Sequence, residues 1–185
     1  PDFLITPSVG RDMSPTDETL TFGVLWTANI AKKAVIPAIR ASQHAVGAVA
    51  SRDGARAERF AAEHGIPRSY GAYESLLEDD GLDAVCVPRP NEHHAEWTRR
   101  AADAGLDVLC EKPLAVDAAE AREVVAHCED RGVTLMEGFM YRYHPRTERV
   151  LELVEHELTD VRTVTATFRF PLYDRPGDVR LNDSP

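Results

Sequence analysis

Positive charge is in short supply. Lysine and arginine number 21 against 31 aspartates and glutamates, a formal net charge of −10 over 185 residues. Phosphate backbones are held by clustered basic surfaces, so nucleic acid is set aside as the main partner. The acidic balance favours solubility and suits a salt-rich cytoplasm, where carboxylates stay hydrated. Cysteine is scarce too: Cys86, Cys110 and Cys128 are odd in number, lie far apart and form no CxxC pair. That removes the sequence basis for a zinc site, and no metal is expected. Two of the three fall in apolar runs and read as small buried hydrophobes in a reducing compartment. No apolar run approaches the ~18 residues that a membrane span needs. The segment Pro1–Thr21 has an apolar Phe3-Leu4-Ile5 patch but no basic stretch ahead of it, a poor match to a signal peptide. Residues 1–20 are expected to be a disordered leader, with Met13 a reasonable start, and the protein cytoplasmic. Internal repeats and low-complexity tracts are absent.

What is present is ordinary globular composition, 43% hydrophobic and 28% charged. The length allows one full domain and part of a second. From Thr21 onward, short apolar runs alternate with longer amphipathic ones. Strands are expected at Phe22–Leu25, Ala45–Ala50, Asp83–Val87, Asp107–Cys110 and Val133–Glu137. Helices are expected at Asn29–Ala41, Asp53–His64, Tyr73–Leu77, Asn91–Ala104 and Asp117–Arg131, with Pro37 kinking the first or shifting its start. Asp53 and Asn91 are cap residues, and Gly65, Gly105 and Gly132 are helix stops. Buried strands each followed by a helix imply an α/β fold with a Rossmann-type, doubly wound parallel sheet over residues 21–140. Ligands of such sheets lie at the carboxyl ends of the strands. Beyond it, Pro145–Glu157 reads as a helix, Val161–Phe170 as an alternating strand, and Pro171–Pro185 as loop. Residues 141–185 are therefore expected to begin a second, incomplete domain.

The residues after each strand carry the chemistry. After the first strand, a dinucleotide fingerprint would place glycine at Trp26, Ala28 and Ala31, and none is there. Alanine at the last two intrudes little, whereas Trp26 stands where a tight turn leaves no space for a bulky side chain. The helix start at Thr27, Ala28, Asn29 and Ile30 still offers free N–H groups to a phosphate. After the second strand, Ser51 and Arg52 stand where NAD sites carry an acid for the ribose hydroxyl. A guanidinium suits a 2′-phosphate, so NADP is preferred, with Arg56 as a second clamp; plain solvated helix-start arginines are the alternative, and Asp53 leaves NAD open. Pro88-Arg89-Pro90-Asn91 with His94 reads either as a cofactor-facing loop or as a helix cap followed by surface histidines. His93 and His94 point about 100° apart on a helix, which argues against a shared metal. Glu111-Lys112-Pro113 leaves a buried strand as two opposite charges. A lysine partly desolvated beside a glutamate suits proton transfer, though a plain salt bridge would look the same. The last run reads either as core and hinge packing or, through Tyr141, Arg142 and His144, as contacts for a polyhydroxylated ligand.

These blocks in this order, Ala28-Asn29-Ile30-Ala31, Ser51-Arg52-Asp53, Pro90-Asn91 with His94, Glu111-Lys112-Pro113 and Met140–Pro145, resemble the glucose–fructose oxidoreductase, inositol dehydrogenase and rhizopine catabolism (Gfo/Idh/MocA) family. The look is that of its dihydrodiol and xylose dehydrogenase branch. The resemblance implies an NAD(P)-dependent oxidoreductase acting on a sugar, polyol or dihydrodiol, and a homo-oligomer for the full-length member. It implies that Lys112 is catalytic with Glu111 positioning it. Asn91 and His94 would lie beside the cofactor, and Tyr141 and Arg142 beside the substrate. It also implies a truncated second domain, so that this chain alone would bind cofactor weakly and turn over little. The competing expectation is a non-catalytic or degraded dinucleotide-binding module, which Trp26 favours and the intact Glu-Lys-Pro turn opposes.

Overall fold

The computed structural model describes residues 18–88, 91–158, 160–167 and 169. The expected leader up to residue 17, Arg89 and Pro90, and the tail 171–185 lie outside them. The chain divides into two compact units, Pro1–Phe139 and Met140–Pro185.

The first unit is built on six parallel strands: β1 (Thr21–Leu25), β2 (Ala45–Ala50), β3 (Arg68–Tyr70), β4 (Ala84–Val87), β5 (Asp107–Cys110) and β6 (Leu135–Glu137). Their spatial order is β3-β2-β1-β4-β5-β6. This is the doubly wound Rossmann arrangement, whose strand order reverses between β1 and β4. Apolar side chains alternate to both faces and form two cores. On one, Leu25, Val85, Val87 and Val108 pack with Leu76, Trp97 and Val124. On the other, Val24, Val49 and Cys86 pack with Ile36, Ile39 and Phe60. A fully buried leucine such as Leu25 contributes about 2 kcal/mol. Gly23 lets β1 sit close to that first core, since a Cβ there would come within 2.8 Å of Leu76 and Leu82 methyls.

Local signals explain the helix limits. In α2 (Gly54–His64), Asp53 accepts from the Arg56 N–H, and Gly65 closes the helix at φ 58°. In α5 (Ala118–Arg131), Asp117 accepts from Ala119 and Glu120 and Gly132 closes at φ 68°. Pro37 behaves as expected of a prolyl residue that cannot donate. The helical stretch 29–41 widens to a π-helical turn at Ala31–Val35, and α1 (Ile36–Ala41) restarts with proline in its first turn. Next come α3 (Tyr73–Leu77) and α4 (His94–Asp103), the latter preceded by a 3-10 turn at Asn91–His93 and without a side-chain cap. That start differs from the expected Asn91 cap. Strand β3 was not foreseen, because Arg-Ser-Tyr has neither the length nor the apolar run of a buried strand.

The second unit holds a 3-10 turn at Met140–Tyr143 and α6 (Pro145–His156), capped by His144 accepting from the Arg146 N–H. The strand expected at Val161–Phe170 does not form over the described residues 161–167. A strand needs a ladder partner, and among the described residues none pairs with it. No helix among the described residues is long and apolar enough to cross a membrane.

Candidate functional site

A cleft of about 270 Å3 opens over the carboxyl ends of β1 and β2. Thr27 and Ala28 line it from the turn after β1, Ser51, Arg52, Asp53 and Arg56 from the end of β2 and start of α2, Pro88 from the end of β4, and Trp26 and Tyr73 complete it. Six of the sequence-expected cofactor residues are thus brought together. Ser51 is buried, with its N–H donating to the Tyr70 carbonyl at 3.0 Å and its hydroxyl accepting from Asp53 N at 3.3 Å. Asp53 is occupied by the cap at Arg56 N (3.2 Å), so its carboxylate faces the helix it starts. Arg52 and Arg56 are exposed, and among the described residues neither guanidinium is paired with a carboxylate. Two unpaired cations at one mouth favour an anionic ligand. Asn29 and Ile30 are exposed at the helix start and do not line the cleft.

Trp26 corrects an expectation. Its position does demand a glycine-like conformation: φ is 73°, a left-handed value for a non-glycine residue. The indole is nevertheless accommodated, because it turns into the core beside Tyr73 and Trp97, with ring centroids 4.0 and 5.3 Å away. Tyr73 is the cleft residue that sequence reasoning missed. It sits 47 residues downstream of Trp26, at the start of a short helix that the sequence did announce but to which no ligand role was given, and the only clue was an aromatic at the first position of that helix.

Two strands along, the Glu111-Lys112-Pro113 turn leaves β5. Its backbone is tied to the neighbouring strands: Glu111 N donates to the Val87 carbonyl at 3.2 Å, and Gly138 N to the Cys110 carbonyl at 2.7 Å. The Lys112–Pro113 peptide is cis. The lysine is exposed rather than partly desolvated, and no ion pair joins it to half-buried Glu111. Both the expected desolvation and the plain salt bridge are therefore corrected.

His94 also stands elsewhere than expected. It is 0% exposed, so it neither sits on the surface nor lines the cleft, and its Nδ1 lies 2.5 Å from the Pro113 carbonyl. The reason is that α4 begins against the turn after β5, so its first residue is enclosed where it meets that turn. A second, unforeseen anchor is Glu137 at the end of β6, whose Oε1 accepts from Leu114 N at 2.8 Å. Asn91 opens the 3-10 turn before α4, and its side chain lies outside the description. Tyr141 and Arg142 are exposed in the turn that opens the second unit.

Comparison with known proteins bears on this geometry. A family model described as an oxidoreductase family with NAD-binding Rossmann fold, GFO_IDH_MocA, matches residues 20–139. The chain is 57% identical over 163 residues to D-xylose 1-dehydrogenase (NADP(+)) 2 of Haloferax volcanii, covering 88% of this chain and 50% of that protein. It is 38% identical over 151 residues to trans-1,2-dihydrobenzene-1,2-diol dehydrogenase of Mus musculus, covering 81% and 45%. It is also similar to the solved structure of KijD10, a 3-ketoreductase from Actinomadura kijaniata in complex with NADP and TDP-benzene. There the TM-score is 0.70 at 40% identity, covering 75% of this chain and 42% of that one. The chain spans about half the length of the curated relatives it matches.

Proposed function

The chain belongs to the Gfo/Idh/MocA oxidoreductase family with its NAD-binding Rossmann fold, and on that premise we propose an NADP-dependent oxidoreductase acting on the hydroxyl or carbonyl of a sugar, polyol or dihydrodiol. The observation that carries it is the cleft over β1 and β2, where Arg52 and Arg56 have no carboxylate partner among the described residues. Guanidinium pairs of this kind suit the 2′-phosphate that distinguishes NADP from NAD. The name of the Haloferax relative, with its NADP(+), is in keeping with this.

In this reading Thr27, Ala28, Asn29 and Ile30 present the first helix's N–H groups to the pyrophosphate. Ser51 takes the ribose, Arg52 and Arg56 its phosphate, and Pro88 and Asn91 the side toward the nicotinamide. When bound, the nicotinamide supplies or takes up the hydride. Lys112 accepts the substrate hydroxyl proton on its amine during oxidation and returns it during reduction, and Glu111, which makes no ion pair with it here, takes up an orienting role when the ligands bind. Tyr141 and Arg142 hydrogen-bond the substrate, and residues 141–185 belong to the substrate and dimerisation domain. His94 acts on the turn from beneath rather than on the cofactor. A cytoplasmic location is supported by three buried free thiols, and a homo-oligomer rests on the family alone. The non-catalytic module is not favoured, since the named relatives are dehydrogenases and a reductase and the Glu-Lys-Pro turn is intact.

The test is a fluorescence titration with NADPH and with NADH, followed by NADP reduction assays on aldoses, cyclic polyols and a dihydrodiol. NADPH should bind about tenfold or more tightly than NADH, the worth of one charge-assisted hydrogen bond. Equal or absent binding of both nucleotides would remove the proposal.

A further inference from the structure

We propose that Glu137 is a positioning residue for Lys112: from the end of β6 its carboxylate holds the backbone just past the lysine and so sets where the amine stands. The inference rests on the assignment of Lys112 as proton carrier. Lys112 and Pro113 are both exposed, and the lysine side chain makes no ion pair among the described residues. Its placement therefore depends on how its backbone is tethered.

The tether on the downstream side consists of two side chains. His94 meets the Pro113 carbonyl at 2.5 Å, and Glu137 Oε1 accepts from Leu114 N at 2.8 Å. Leu114 is 5% exposed, so its amide has little access to water if that bond is lost. A carboxylate acceptor makes the bond roughly twice as strong as a neutral one. Gly138 seats the same strand end against the upstream side of the turn. Its N–H donates to the Cys110 carbonyl at 2.7 Å, and a Cβ on it would lie 3.3 Å from that oxygen and 3.5 Å from Glu111 Cα. The Glu137-Gly138 pair thus grips both flanks of Glu111-Lys112-Pro113. Sheet pairing alone would leave the side chain at 137 free to be anything, yet it reaches across 23 residues of sequence to one amide.

Three forms are compared: the natural protein, Glu137→Gln, which keeps an acceptor oxygen, and Glu137→Ala, which removes it. Thermal unfolding confirms that each is folded. If the alanine form is not, Glu137→Asp replaces it, being one methylene too short to reach. Amide exchange read by NMR should be slow at Leu114 in the natural and Gln forms and about tenfold faster in the alanine form. In steady state the alanine form should lose about ten- to a hundredfold in kcat with KM for NADPH little changed, and the Gln form should recover most of it. Unchanged Leu114 exchange in the alanine form overturns the proposal. So does an unchanged kcat, or a loss that glutamine fails to restore, which would assign the role to charge rather than to the bond. If the natural protein transfers no hydride at all, the proposed function fails separately, and the exchange comparison still decides the anchor.

Discussion

The indole of Trp26 lies against the ring of Tyr73, centroids 4.0 Å apart and planes tilted by 43°. The two join the turn after β1 to the start of α3, and Trp97 meets both edge-on at 5.3 and 5.2 Å. This contact explains how a bulky residue holds a left-handed backbone. The conformation costs about 1–2 kcal/mol, while each aromatic pair adds about 0.5–1.5 kcal/mol beyond the area it buries.

Trp26→Gly should therefore have opposite effects on stability and binding. Strain is relieved, but the indole's packing is lost, for a net destabilisation of about 2 kcal/mol and a Tm lower by about 4–8 °C. With the turn free to tighten, NADPH should bind several-fold more strongly (~1 kcal/mol). Thermal unfolding and nucleotide titration on the same samples check this. A more stable variant, or weaker binding, would contradict the packing described.

Arg52→Ala and Arg56→Ala should each weaken NADPH binding by about ten- to a hundredfold and leave NADH within about threefold. The unfolding temperature should hardly move, because both side chains are exposed. Equal loss for both nucleotides would place the arginines away from a 2′-phosphate.

His94→Ala removes a fully buried ring and deprives the Pro113 carbonyl of its contact. A destabilisation of about 3 kcal/mol is expected, read as a Tm lower by about 6–12 °C. A variant melting with the natural protein would show that the ring does not support the turn.

The three thiols give a pH prediction. Burial, as the largest cause, pushes Cys86 and Cys110 up to about 12 and Cys128 to about 11 from an ordinary value near 9. Nearby carboxylates add to it, Glu111 for Cys86 and Glu137 and Glu111 for Cys110, while the Thr98 hydroxyl opposes it at Cys110. The unfolded chain loses these protons first, so the contribution is full below pH 9 and is lost as pH rises toward 11 to 12. Denaturant midpoints should fall over that window. At pH 8 the native protein should resist a thiol reagent that labels the unfolded chain at once, and rapid native labelling would count against this burial.

Helix limits were largely legible because their signals are local. Asp53 and Gly65 are cap and stop within one helix and Gly132 is the stop of another, and the structure uses them so. Five of the six parallel strands were legible as apolar runs. The sixth, Arg68–Tyr70, draws its stability from lying beside β2, which no property of three half-buried residues announces. The alternating run at 161–167 shows the converse, a strand pattern that forms no ladder among the described residues. In the cleft, Ser51, Arg52, Arg56 and Pro88 were readable because they follow strands, where a parallel sheet receives its ligands.

By itself the order of amino acids determined the alternation of strand and helix, the family, and that residues following β1, β2 and β4 would line a cleft. These follow from periodicity, capping and motif, all properties of short stretches. Only the tertiary structure decided that Tyr73 joins Trp26 in the cleft wall, that His94 lies beneath the Lys112 turn, and that Glu137 holds that turn from the next strand. Those contacts span 19, 23 and more residues. They exist because the sheet sets particular strand ends side by side, and that neighbourhood is a property of the folded chain alone.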